Sequence, residues 1–159
     1  MTTSNKKDKK KSKLRVYLAG PMEYAAGAGL PWRLEYKKAL KKLDMDCVIP
    51  NKEEKNVRGI KDLDNFKKNN ITAYIQVMRK IIDLDLNFVE TLDFIVVSWE
   101  GERMSGTVHE VGHAYEIKKP VYLVTSKPWE EVPGWFLACC SSMFHSLDEL
   151  IAYLKQAYI

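Results

Sequence analysis

Residues 105–115, Ser-Gly-Thr-Val-His-Glu-Val-Gly-His-Ala-Tyr, carry the densest reactive chemistry in the chain. Their centre, His109-Glu110-Val111-Gly112-His113, has the H-E-x-x-H spacing. On a helix this sets two imidazoles and a carboxylate on one face, where they can hold zinc and activate a bound water. The same letters also form Gly-Thr-x-x-Glu-x-Gly-x-Ala, a glycine loop running into a helix with Glu110 one turn inside it. In that reading Glu110 is a carboxylate nucleophile and the histidines are incidental.

The two chemistries make different demands on the rest of the chain. A catalytic zinc needs a third ligand and an open position. The chain has three His in all, and the third, His145, falls in a segment expected to be a strand. No further His follows His113 at ligand spacing, and Glu116 lies on the same short helix rather than a separate one. A zinc metallopeptidase is therefore the weaker alternative, with His109 and His113 facing solvent or a pocket rim. The expectation is that no metal and no organic cofactor is required.

The elements that must position Glu110 follow from periodicity and breakers. Leu14–Ala19 reads as a strand stopped by Gly20-Pro21, and a Gly/Ala-rich loop runs on to Gly29. Trp32–Leu43 has amphipathic helical spacing, with Leu34, Ala39, Leu40 and Leu43 as its apolar positions. Met45–Ile49 is a second strand, and the charged stretch 51–68 reads as a long loop. Ile71–Val89 is helical through Ile71, Ile75, Met78, Ile82 and Leu86. Phe94–Ser98 and Pro120–Thr125 are strands around a Thr107–Ile117 helix. Ser142–His145 is a fifth strand, followed by a Leu147–Ala157 helix capped by Ser146 with Glu149 completing a capping box. Alternating strands and helices predict a three-layer α/β fold with a five-stranded parallel sheet, flavodoxin- or Rossmann-like. Ligands of such sheets bind at the carboxyl ends of the strands. That rim gathers the 20–29 loop, the 99–106 loop and the 126–134 loop.

Three segments in order, Val16-Tyr17-Leu18-Ala19-Gly20-Pro21, then Asp85-Leu86 with Asp93 eight residues on from Asp85, then Gly106-Thr107-x-x-Glu110-x-Gly112-x-Ala114 before Lys118-Lys119-Pro120-Val121, resemble the nucleoside 2-deoxyribosyltransferase family and its relatives, the deoxynucleoside 5′-monophosphate N-glycosidases. The resemblance spans most of residues 14–125. It implies cleavage of the N-glycosidic bond of a (2′-deoxy)nucleoside or its monophosphate, with Glu110 as nucleophile, Tyr17 beside it and Asp85 helping to bind and protonate the substrate. Asp83 is a rival to Asp85 two residues away, and Tyr17 could equally be plain core.

Substrate would be lined by Gly20, Pro21 and Met22 of the first loop and by Met104, Ser105, Gly106 and Thr107 of the later one. Gly106 would let the backbone approach the sugar, and Thr107 would cap the helix. A nearby helix N-terminus would keep Glu110 ionised, and Gly112 would allow tight packing on the sheet. Trp32 and Trp99 are candidates for stacking on a base, and Arg33 or Arg103 for meeting a phosphate beside the unhelpful Glu23. Met104 stands where the transferases carry an aspartate, so water or a second base could be the acceptor. A non-catalytic nucleotide-binding module on the same fold is the further alternative. The resemblance also implies a homo-oligomer (dimer or higher) with a shared active site.

The totals set bounds. A chain of 159 residues suits a single domain with a real core. Its net charge of +4 is concentrated in residues 1–13, a lysine-rich segment of local charge +5 expected to be a disordered tail, leaving −1 for residues 14–159. The body thus has no basic surplus for nucleic acid. No apolar run is long enough to span a bilayer, and the start has no apolar signal core. Three Cys (47, 139, 140) do not suggest a disulfide framework, so an intracellular, cytoplasmic setting is expected.

Overall fold

The computed structural model describes residues 12–58 and 63–159. Strands β1 (Arg15–Ala19), β2 (Asp46–Val48), β3 (Phe94–Ser98), β4 (Val121–Val124) and β5 (Ser142–Phe144) form one sheet in the order β2-β1-β3-β4-β5. Every pairing is parallel. This is the flavodoxin-like order, in which the chain reverses direction between β1 and β3 and opens a crevice at their carboxyl ends. All five strands lie where the sequence places them.

Alternation along β1 divides the core. Val16 and Leu18 point to a layer completed by Tyr36 and Leu40 of α1 (Leu30–Lys41) and by Leu150 and Leu154 of α7 (Leu147–Tyr158). Tyr17 and Ala19 point to the opposite layer. It is built from Val89 of α4 (Ile71–Thr91), Val111 and Ala114 of α5 (Gly106–Glu116) and Phe136 of α6 (Gly134–Cys139). Tyr17 therefore lies under the face on which α4 and α5 pack. Ser146 caps α7 as expected, accepting from Glu149 N at 3.2 Å. Glu149 reaches back to His145 N, one residue before the usual partner in a capping box.

Several expectations are corrected. The stretch 51–68 is not a long loop: Pro50–Arg58 is helix α2 and Leu63–Asn69 is helix α3. Both are short and highly charged, α2 with Lys and Glu as helix formers and α3 with a pair of Lys, and neither carries a long apolar stripe; Pro50 opens α2 where proline is tolerated. The phase of two helices also differs. In α1, Leu34 is 46% exposed, while Arg33, Tyr36 and Leu40 face inward. In α4, Ile71, Ile75 and Ile82 are exposed and Ile81 and Val89 are buried. Gly112 is not needed for close packing, because a Cβ there would meet nothing within 4 Å. Helix α6 is an addition, anchored by buried Phe136 while Trp135 points outward.

Of the expected N-terminal tail, residues 1–11 lie outside the described residues, and Lys13 pairs with Asp44 at 2.6 Å. Among the described residues no helix is long and apolar enough to cross a membrane.

Candidate active site

The carboxyl end of β1 gathers the site. Tyr17, fully buried, donates from its hydroxyl to Glu110 Oε1 at 2.6 Å. Its ring packs on Phe88 of α4, with centroids 5.5 Å apart, which fixes the direction of the hydroxyl. Glu110 comes from the second turn of α5 and is 8% exposed. Asp85 sits three residues before Phe88, on the same inward face of α4, and its charge acts on Tyr17. Asp83, two positions away, is exposed. A two-residue step turns a helix by about 200°, so the rival acid points away from the site.

A third acid arrives from helix α2, which the sequence does not announce. Glu54 of α2 is 3% exposed and lies close enough to Asp85 to raise its carboxyl. Its signal in the sequence was slight: one Glu among many charges, in a stretch with no apolar periodicity. Among the described residues Asp85 Oδ1 is buried without a hydrogen-bond partner, and a buried polar atom of that kind calls for a water, an ion or a ligand.

Arg33 closes the arrangement. It is fully buried, and its guanidinium donates to Leu18 O (2.9 Å), Gly20 O (2.8 Å) and Gly29 O (3.0 Å). Its plane also lies over the Trp32 ring at 4.6 Å. Arg33 thus holds the 20–29 loop against β1 and is not free to meet a phosphate. The loop is shaped for it. Gly29 has φ +66°, and a Cβ there would lie 2.5 Å from both Pro21 O and Arg33 Nη1. At Gly20 a Cβ would come within 2.8 Å of Trp32 and 3.1 Å of Ser98 O. Only glycine fits either position.

Burial governs the electrostatics. It raises the Glu110 carboxyl to about 7, with Glu54 adding to the rise while the Tyr17 hydrogen bond and Arg33 oppose it. Burial likewise pushes Asp85 to about 9, helped by the charges of Glu110 and Glu54 and by hydrogen bonding of its protonated form toward Glu54. Burial also raises the Tyr17 hydroxyl well above its ordinary value, so it stays a donor. Burial thus works against the stabilisation that the nearby helix N-terminus is expected to give the Glu110 anion. Desolvation outweighs a dipole effect that fades within the first turn.

The remaining expected residues are distributed as follows. Gly20 and Pro21 are buried and Met22 is half-buried at the start of the first loop. Met104 is half-buried against the α4/α5 core layer. Ser105 is the residue before α5, but no side chain caps that helix, and Thr107 is buried inside it. Thr107 is thus not the cap. Gly106 has open space around it. Trp99 is 6% exposed and donates to Glu102 O at 2.7 Å, which leaves no free ring face for stacking. Arg103 lies over the Tyr24 ring at 5.3 Å. His113 binds Glu90 at 3.0 Å and His109 is exposed. Among the described residues no group of three His, Cys, Asp or Glu is arranged to hold a metal.

No curated protein matches the chain in sequence. A 2-deoxyribosyltransferase of the psychrotolerant bacterium Bacillus psychrosaccharolyticus has the same fold, at a TM-score of 0.66 and 16% identity, over 87% of this chain and 91% of that one. The Vibrio vulnificus NanR protein, solved with ManNAc-6P, aligns at a TM-score of 0.49 and 10% identity over 92% of this chain and 50% of its own. The sequence model for nucleoside 2-deoxyribosyltransferase matches residues 16–150, from the strand carrying Tyr17 to the last helix. The chain belongs to the nucleoside 2-deoxyribosyltransferase family.

Proposed function

We propose that the protein cleaves the N-glycosidic bond of a 2′-deoxynucleoside or its 5′-monophosphate through a covalent glycosyl-Glu110 intermediate. The observation that carries this reading is the 2.6 Å bond from buried Tyr17 to Glu110 Oε1, at the ligand-binding rim of a family member's sheet. That bond orients the carboxylate and leaves its second oxygen for C1′. As the C1′–N bond breaks, the base leaves with the electron pair and takes up a proton, for which Asp85 is the nearby acid. A C1′–O bond to Glu110 forms in its place. Water or a second base then attacks C1′, the ester C–O bond breaks, and the Glu110 carboxylate is restored. Two displacements give overall retention.

Gly20, Pro21 and Met22 would line one side of the sugar, and Met104, Ser105 and Gly106 the other. Met104, an uncharged residue in the later loop, favours hydrolysis or a loosely held acceptor base over tight base exchange. We further propose a homo-oligomer. The exposed Ile71, Ile75 and Ile82 form an apolar stripe on α4, the helix that carries Asp85, and a second copy would bury it.

The test is incubation with a panel of deoxynucleosides and their monophosphates, with and without an acceptor base. Base release by wild type and its loss in Glu110→Ala are expected. Binding without any release would identify a nucleotide-binding module instead.

A further inference from the structure

The crevice that holds Tyr17 and Glu110 is walled by two loops with different anchoring. The 20–29 loop is fixed at its ends: Arg33 donates to Gly20 O and Gly29 O, and Asn51 Nδ2 donates to Ala28 O at 2.7 Å. Its middle is closed by two backbone bonds of its own, Ala25 N to Met22 O at 3.3 Å and Ala28 N to Ala25 O at 3.1 Å. The loop after β3 is braced almost to its tip. Trp99 Nε1 donates to Glu102 O, and Glu100 N to the Glu102 carboxylate, both at 2.7 Å. The Glu100 carboxylate in turn accepts from Ser126 N at 3.0 Å. Arg103 comes next along the chain.

Its guanidinium lies over the Tyr24 ring, 5.3 Å from the centroid, so the two loops touch. Strands β1 and β3 are neighbours in the sheet, Tyr24 lies seven residues after Tyr17, and Arg103 lies seven before Glu110. The contact therefore bridges the rim of the crevice, from the braced loop to the soft middle of the other. Both side chains are exposed, Tyr24 at 54%, and among the described residues neither makes a hydrogen bond or an ion pair. The ring face is what holds the cation in place.

We propose that Arg103 and Tyr24 are positioning residues that clasp the 20–29 loop across the rim of the crevice, so that Pro21 and Met22 are already placed to line the sugar when substrate arrives. Binding then need not pay to order the loop. An exposed cation–π pair favours its closed form by roughly 2- to 5-fold. Substrate affinity should gain by up to the same factor, since only the ordered fraction binds. The role in turnover rests on the proposed activity, but the clasp itself does not.

The first test is amide exchange in the full chain, followed at Ala25 and Ala28. Arg103→Met keeps most of the side-chain stem and loses the cation, and Tyr24→Leu removes the ring. Each should speed exchange at these amides roughly 2- to 5-fold. The double variant should go no faster than the quicker single one, because both remove one interaction. Tyr24→Phe retains the ring face and should exchange like wild type. Unchanged exchange in both single variants, or additive effects in the double one, would overturn the clasp.

The second test is the kinetics of base release. Arg103→Met and Tyr24→Leu should raise KM roughly 2- to 5-fold with kcat held within twofold, and Tyr24→Phe should restore the wild-type KM. Faster exchange with an unmoved KM would reduce the pair to a surface contact, and a fall in kcat alone would overturn the positioning role. If wild type released no base from any substrate, the proposed activity would fail while the exchange rates still decided the clasp.

Discussion

Tyr17 and Glu110, 93 residues apart in the chain, meet through a 2.6 Å hydrogen bond that opposes the effect of burial on the carboxyl. Burial pushes Glu110 up to about 7, and the Tyr17 hydroxyl pulls it down by solvating the anion. Tyr17→Phe removes that donor without opening a large cavity. The Glu110 proton should then be held to higher pH, and the acid limb of kcat/KM should move upward. A buried hydrogen bond to a charged group contributes about 1.5–3 kcal/mol, so activity near neutrality should fall roughly 10- to 100-fold. Recovery at higher pH distinguishes this from misfolding. An unmoved limb would count against an ionised Glu110 as the reacting form.

The same raised groups make folding stability depend on pH in a defined direction. Between the ordinary Asp and Glu values near 4 and the folded values of about 7 and about 9, the folded chain binds more protons than the unfolded one. Stability is then greatest in mild acid and declines as pH rises through that window. The slope is at most about 1.4 kcal/mol per pH unit for each such group. Asp85→Asn and Glu110→Gln should each flatten the decline, and each should gain on wild type between pH 5 and 8. Urea denaturation across that range measures it, and a wild-type stability that climbs with pH would contradict the buried, protonated site.

Arg33 should matter more to folding than to chemistry. Its donors satisfy three carbonyls around the β1 end and the 20–29 loop. Arg33→Met would strand those acceptors in a closed space, at about 1–3 kcal/mol for each that finds no water. A loss of at least 3 kcal/mol in denaturant unfolding is the expected result. Arg33→Lys should recover little, since an ammonium cannot reach three divergent carbonyls from one planar fork.

What was legible in the sequence follows from where the physics is local. The five strands were readable because short β-branched runs such as Phe94–Ser98 lie between glycine, proline and charged breakers. Tyr17, Asp85 and Glu110 were found because they sit in ordered motifs, and the structure brings all three together. Glu54 was not readable. Its burial depends on a partner 31 residues away, and α2 has no apolar face to announce a helix. Arg33, expected to meet a phosphate, instead serves the loop carbonyls, a buried partner set that residue type alone does not announce. The outward phase of the α4 isoleucines shows the same limit. Spacing identifies a stripe but not which neighbour covers it.

The histidines of the H-E-V-G-H segment should be dispensable. His113 pairs with Glu90, a partly exposed contact of a kind that contributes about 0–1 kcal/mol, and His109 faces solvent. The His109→Ala, His113→Ala double variant should keep its base-releasing activity and lose less than about 1 kcal/mol of stability. Chelator treatment should leave activity intact. Stoichiometric zinc in the purified protein, lost together with activity on chelation, would return the site to metal chemistry.

The isoleucine stripe gives the last prediction. Ile71, Ile75 and Ile82 are 54%, 42% and 44% exposed on one side of a 21-residue helix. Apolar side chains in such a row carry a standing hydration cost of the order of 1 kcal/mol each, which association removes. None of the three contributes to the core around Val89 and Ile81, so charged replacements should leave the fold intact. Light scattering on size-exclusion fractions should show an oligomer for wild type and a monomer for Ile75→Glu, Ile82→Glu. If a neighbouring subunit helps close the site, the monomer should show a raised KM together with a reduced kcat, because the same helix carries Asp85. Unchanged mass in the variant would place the interface elsewhere.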